Sequence, residues 1–173
     1  MKVFPGFLLG VLLGGCVAVD GAGLQPGTTG VDDVIQVLGV PVMRWAEPEG
    51  GETLVYPRGP YGFQTHFVRI DAEGRYSRRE NVLASRYFAR IQPGMTTEQV
   101  VRILGPSVSA WTVYFAARDE LVWEWRYCDD WNEPARFNVL FDGTTQRVRS
   151  TLAASESMRG LGDWDNARRW CGH

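Results

Sequence analysis

"RIQPGMTTEQVVRILGP", Arg90 to Pro106, decides the fold, because nearly the same phrase stands earlier as "GLQPGTTGVDDVIQVLGVP", Gly23 to Pro41. Gln25-Pro26-Gly27 aligns with Gln92-Pro93-Gly94. Val34, Val37, Leu38 and Gly39 align with Val100, Ile103, Leu104 and Gly105. The offset changes by one residue between the blocks, as if Gly30 were an insertion. Pro-Gly marks a turn. In the second copy Thr96 is placed to cap a helix, and Gln99 three residues on completes a capping box. Val100, Ile103 and Leu104 then share one apolar face. Gly105 suits a positive φ, and Pro106 forbids continuation. The first copy predicts the same helix, with Thr29 as cap, Val31, Val34 and Leu38 as apolar face, and Gly39 and Pro41 as stop. Asp32 and Asp33 sit where a helix N-terminus favours negative charge.

A helix this short is marginal alone, so a sheet must hold it. "LVWEWRYC" (Leu121 to Cys128) alternates, with Trp123, Trp125 and Tyr127 on one face and Val122, Glu124 and Arg126 on the other. "RFNVLFDG" gathers Phe137, Val139 and Phe141 and turns at Asp142-Gly143, and "QRVRSTL" returns as the next strand. In the first copy "TLVYP", "FQTHFVRID" and "GRYSRRENVL" take these parts, with a turn from Asp71 to Gly74. "ASRYFARI" predicts a further helical turn entered at Ser85. Matching order at a fixed period reads as an internal duplication. The expected fold class is α+β: two tandem units, each a short helix or helix pair packed on a three-stranded antiparallel sheet.

With 173 residues, 45% hydrophobic and 12% aromatic, the chain has enough apolar mass for a core. A net charge of −2 offers no basic stripe for nucleic acid. Lys2 is the single lysine, so nearly every cation is an arginine, which GC-rich codon usage explains more simply than selection for bidentate contacts.

The start "MKVFPGFLLGVLLGGCVAVDG" places Lys2 before an apolar run from Val3 to Leu13. The run is too short to span a bilayer and has the length of a signal-peptide core. Leu13-Gly14-Gly15-Cys16 resembles the bacterial lipobox. That resemblance implies a signal peptide over 1–15, acylation of Cys16 and a tether over 16–23. Acyl chains contribute about 0.8 kcal/mol for each buried CH₂, so anchoring is effectively permanent. Val17 stands where an aspartate would resemble the inner-membrane retention signal, so the expected location is the periplasmic face of the outer membrane. The two other cysteines, Cys128 and Cys171, read as a disulfide in an oxidising periplasm, with two buried free thiols as the alternative.

Ile91-Gln92-Pro93-Gly94-Met95-Thr96, the Val100…Leu104-Gly105 helix end, Trp125-Arg126-Tyr127 and Phe137-x-Val139-x-Phe141-Asp142-Gly143 together resemble the SmpA/OmlA (BamE-like) lipoprotein family, over roughly 91–152. The span 24–83 is a degenerate copy, with Thr28 in place of Met95. The chain thus divides into a first unit at 24–83, a second at 84–154 and a tail at 155–173. The resemblance implies an outer-membrane lipoprotein that binds envelope proteins, among them barrel-assembly subunits, and anionic lipid head groups, without catalysis. The family's known subunit has one unit, and this chain has two. A tandem of helix-plus-sheet units is also similar to β-lactamase inhibitor proteins, whose joined sheets form a concave, aromatic-rich binding surface.

Few other residues suggest chemistry. "YPRGPYG" lacks the Gly-Lys-Ser/Thr ending of a phosphate loop and reads as a hairpin loop. "CDDWNEP" lacks the ligand register of a calcium loop and reads as a hairpin connection. Only His66 and His173 are available to a metal, and there is no Cys-x-x-Cys, so no metal or cofactor is expected. No nucleophile stands beside a base, so no catalytic residue is expected. Arg75, Arg78, Arg79, Arg86 and Arg90 cluster at the link between the copies. They are the candidate surface for a partner or anionic lipid, with a solvated charged face as the plain alternative. The end of the tail, "RGLGDWDNARRWCGH" (159–173), is expected to be loose apart from Cys171 and a brief helix around 163–170.

Overall fold

The structure, a computed structural model, describes residues 23–59, 62–160 and Cys171. The signal peptide, Cys16 and the expected helix at 163–170 lie outside the described residues. The element order is α1 (Val31–Leu38), β1 (Met43–Ala46), β2 (Glu52–Pro57), β3 (Thr65–Ile70), β4 (Tyr76–Asn81), α2 (Ser85–Phe88), α3 (Thr97–Leu104), β5 (Val113–Phe115), β6 (Glu120–Cys128), β7 (Pro134–Asp142) and β8 (Val148–Ser155). A single 3₁₀ turn flanks β5 on each side, at Ser109–Trp111 and Ala116–Arg118.

The expected fold class is overturned. The described chain is mostly β, with two four-stranded antiparallel meanders ordered β1-β2-β3-β4 and β5-β6-β7-β8. It is not a pair of three-stranded sheets under helices. The extra strands are the short edges β1 and β5, of four and three residues, too brief to display a period of two. β1 pairs along β2 from Met43 opposite Val55 to Ala46 opposite Glu52. β5 pairs along β6 from Val113 opposite Val122 to Phe115 opposite Glu120.

Several local devices recur in both halves. The Gly27 N–H donates to the Tyr76 carbonyl (2.8 Å), and the Gly94 N–H donates to the Val148 carbonyl (2.8 Å). Each Pro-Gly turn is therefore pinned to the first residue of its sheet's last strand. One guanidinium reinforces each pin: Arg75 Nη1 donates to the Gly27 carbonyl (2.9 Å) and Arg147 Nη1 to the Gly94 carbonyl (2.8 Å). A register shift follows at the matching place, Arg69/Ile70 in one sheet and Leu140/Phe141 in the other.

The helices differ. α3 has the full capping box: the Thr96 hydroxyl accepts from Gln99 N–H (3.2 Å), and the Gln99 side chain accepts from Thr96 N–H (2.8 Å). α1 begins at Gly30 with no side-chain cap. Thr29 instead accepts from the Gln25 N–H (2.8 Å), so its hydroxyl closes the turn. The inserted glycine moves Thr29 one place out of capping range. This corrects the expectation that Thr29 caps the first helix.

The layers run helix, sheet, helix, sheet. α1 covers one face of the first sheet, where Val34 packs with Leu54, Val68 and Ile70. On the other face Val55 and Phe67 join a larger cluster with Val100, Ile103 and Leu104 of α3 and with Trp125, Phe137, Val139 and Phe141 of the second sheet. Gly105 shows how close this approach is. Its φ is +73°, and a Cβ there would lie 2.8 Å from the Thr65 Cγ2 and 3.3 Å from Val55 and Phe67 atoms. Glycine ends the helix and also lets it touch the first sheet. Across α2, Phe88 stacks on Phe137 with ring centroids 4.0 Å apart and meets Tyr127 edge-on.

Cys128 and Cys171 form a disulfide, with Cα atoms 5.5 Å apart. It joins the end of β6 to a residue 43 positions further on.

Candidate functional site

The side chains of β6 alternate across the sheet, which sends Glu124 and Arg126 to the face opposite α3. Register places Arg136 of β7 directly opposite Arg126, and Asn138 opposite Glu124. The chain then leaves β8 and turns at Glu156, whose N–H donates to the Pro134 carbonyl (2.8 Å). The outcome is an ion network on the outer face of the second sheet. Arg126 makes a two-pronged contact with Glu156 (2.6 and 2.7 Å). Arg136 bridges the two carboxylates, at 2.5 Å from Glu156 and 2.5 Å from Glu124. Arg159 holds the second oxygen of Glu124 at 2.5 Å.

Both glutamates are buried, at 6% and 4% exposure for Glu124 and Glu156. Burial alone pushes the Glu156 carboxyl up, and the hydrogen bonds from Arg126 and Arg136 together outweigh it, so its pKa lies below the ordinary value. Two aromatic rings cover the guanidinium planes. The Arg136 carbon stands 4.0 Å from the Trp111 ring centroid, and Arg126 4.1 Å from that of Phe63. Phe63 comes from the β2–β3 loop, so the first half contributes to this lid. The carboxylates are fully engaged by arginines. Paired this way they order the sheet, and neither is placed as a free base.

A second, smaller network faces α2 from the first sheet. Arg69 donates to Glu47 (2.7 Å), Thr53 (2.5 Å) and Glu80 (3.1 Å). Burial raises the Glu80 carboxyl, but hydrogen bonds from Tyr87 and Arg69 draw it below its usual range. Beside β1 lies an open cleft of about 460 Å³ lined by Arg44, Trp45, Glu52 and Ile70. Arg44 and Glu52 are paired there, 2.7 Å apart.

The five arginines expected to form one surface are divided by the structure. Arg75 is tied to the Gly27 carbonyl. Arg78 pairs opposite Arg69 and Arg79 opposite Val68, so successive residues of β4 face opposite sides of the sheet. Arg78 lies 3.5 Å from Glu80. Arg86 and Arg90 flank the Tyr87 ring at 4.9 and 5.8 Å. Arg86 and Arg90 therefore share a patch around Tyr87, while Arg75 and Arg79 stand apart from it.

The acidic hairpin is also occupied by its own turn. Asp129 Oδ1 accepts from the N–H groups of Trp131 (2.9 Å) and Glu133 (2.8 Å), and Asp130 accepts from the Ser85 hydroxyl. Among the described residues no group of three or more His, Cys, Asp or Glu side chains is arranged to hold a metal.

Several large apolar side chains are exposed. Trp131 at the β6–β7 turn is 83% exposed, Met158 85%, and Leu152 of β8 57%. Val113, Tyr114 and Phe115 of β5 also face solvent. Trp125 and Tyr127 fill the core, at 2% and 6% exposure, so these rings form no exposed aromatic surface. Sequence reasoning missed the ion network and the exposed set. The Glu124/Arg126 alternation signalled the network's face, while its partner Glu156 lies beyond the last expected strand.

No protein-family model matches the chain, and no curated protein does. Among solved structures the chain is similar to an extracellular protein containing a SCP domain from Bacillus anthracis str. Ames, with 12% identity and a TM-score of 0.26. The alignment takes in 73% of this chain and 43% of that one, so this chain spans less than half of its neighbour's length.

Proposed function

We propose that the chain is a non-catalytic binding protein, held by acyl chains on Cys16 at the periplasmic face of the outer membrane. There it engages envelope proteins, barrel-assembly subunits first among them. The observation that carries this reading is the division of labour on the second sheet. Its charged groups neutralise one another beneath Trp111 and Phe63, while Trp131, Leu152, Met158 and the β5 side chains stay open to solvent. Large exposed apolar side chains near a polar rim are characteristic of protein contacts. The Cys128–Cys171 bridge supports an oxidising compartment. The lipobox-like Leu13-Gly14-Gly15-Cys16 and the resemblance of 91–152 to SmpA/OmlA lipoproteins support the anchor and the class of partner.

The test has two readings. Mass spectrometry of the mature chain is expected to find Cys16 N-terminal and acylated, and Cys16→Ala is expected to release the protein from the membrane fraction. An unmodified Cys16 with unchanged fractionation overturns the anchor. Affinity capture from detergent-solubilised envelope is expected to recover barrel-assembly subunits in amounts that Trp131→Asp lowers about tenfold, as loss of a binding hot spot does.

A further inference from the structure

The two sheets end in equivalent strands with different chemistry. β4 reads Tyr-Ser-Arg-Arg-Glu-Asn, and β8 reads Val-Arg-Ser-Thr-Leu-Ala-Ala-Ser. Each is the last strand in its sheet's order, so among the described residues one side of its backbone has no strand partner. The Pro-Gly turns occupy only the first residue, Tyr76 in one sheet and Val148 in the other. Beyond Val148 the register shift leaves Arg149 as the extra residue.

The parity of the rest follows from Glu156, whose N–H is directed to Pro134 of β7. Alternate residues Ala154, Leu152 and Ser150 therefore also direct their backbone groups inward. Thr151, Ala153 and Ser155 direct theirs outward. Thr151 and Ala153 are exposed, as are Ser150 and Leu152 between and beside them. No proline interrupts the strand, and Arg149, its one charge, is already bound to Asp142 at 2.6 Å and to the Arg118 carbonyl at 2.8 Å. Natural edges are ordinarily guarded by charge or proline. β4 is guarded in that way, and β8 is not.

We infer that β8 is a self-association edge, which pairs antiparallel with β8 of a second copy of this chain. The pairing opposes Ala153 to Ala153 about a two-fold axis, with Thr151 opposite Ser155 on either side. This register uses all three outward-facing residues and makes about six backbone hydrogen bonds. The side chains brought together are Ala, Thr and Ser, and Leu152 meets Ala154, so no like charges oppose each other. The same operation on β4, where the Val82 N–H bonded to Thr65 leaves Ser77, Arg79 and Asn81 facing outward, sets Arg79 against Arg79. Like charges directly opposite are unfavourable. The choice of a second copy rests on this self-complementarity, which β8 has and its counterpart lacks. The pairing takes up Leu152, one member of the exposed set above, whereas Trp131 and β5 lie outside the strand that pairs.

The full chain in detergent is expected to sediment at twice the monomer's protein mass, and Ala153→Lys to return it to monomer by placing two ammonium groups at the axis. Ala153→Cys is expected to yield a covalent dimer under mild oxidation, because facing residues of a hydrogen-bonded pair lie at disulfide range. Arg79→Cys is expected to yield none, with the parent chain as background. A parent chain that is monomeric with no crosslink at position 153 overturns the inference. So does a dimer that Ala153→Lys leaves intact or that Arg79→Cys traps equally well.

Discussion

α1 and α3 are the same length and stop in the same way, yet α1 buries one side chain, Val34, and α3 buries Val100, Ile103 and Leu104. The difference comes from place in the layer stack. α1 has a sheet on one side only, and α3 lies between two. Nearly identical phrases thus perform different mechanical tasks. The first helix shields one face of a sheet, and the second joins the halves through a shared core. The capping box belongs to the helix that bears the larger load.

Substitutions can break this contrast in graded fashion. The largest effect belongs to a constraint that only the second half carries. Replacing Cys128 and Cys171 by serine is expected to remove about 4 kcal/mol, the chain-entropy figure for a loop of this length, as read from chemical denaturation. Leu104→Ala follows at about 3 kcal/mol, because Leu104 is wholly buried. Leu38→Ala, at the matching and partly exposed site of α1, is expected to cost about 1 kcal/mol. Equal losses would mean that α3 is not held between the sheets.

Glu156→Gln keeps the shape of the outer network and removes its charge, at about 2 kcal/mol near neutral pH. It also changes the acid limb. Glu156 has its folded pKa below the ordinary 4.5, so its contribution is complete above that value and drains as pH falls through the lower folded value. A denaturation series in pH is therefore expected to show a shallower acid decline in the Gln variant. The smallest effect separates the two helix starts. Thr96→Ala is expected to cost about 1 kcal/mol by removing the capping hydroxyl. Thr29→Ala acts on the Gln25 turn and is expected to leave α1 helicity unchanged.

Much of this arrangement was legible from particular residues. Thr96 and Gln99 announced the capping box, Gly105 and Pro106 the stop, and the Trp123/Trp125/Tyr127 alternation the inner face of β6. The fourth strands were hidden because Met43–Ala46 and Val113–Phe115 are too short to alternate visibly. The stacking of both sheets on α3 was hidden for another reason. Leu54-Val55-Tyr56 is an unbroken apolar run, the mark of a strand covered on both faces, but a strand's sequence does not name what covers it. The arginine cluster was misleading because nearness along β4 puts neighbours on opposite faces. The Glu124–Arg136–Glu156 bridge depends on a register and a turn beyond β8, which only tertiary pairing fixes.

Photocrosslinking in intact cells tests the central claim most directly, with a reactive side chain at Trp131, on the open end of the second sheet, or at Arg79, on the guarded edge of the first. A membrane-borne adduct with a discrete envelope protein from position 131, and none from 79, is the predicted result. No adduct at 131, or equal labelling from both positions, contradicts it.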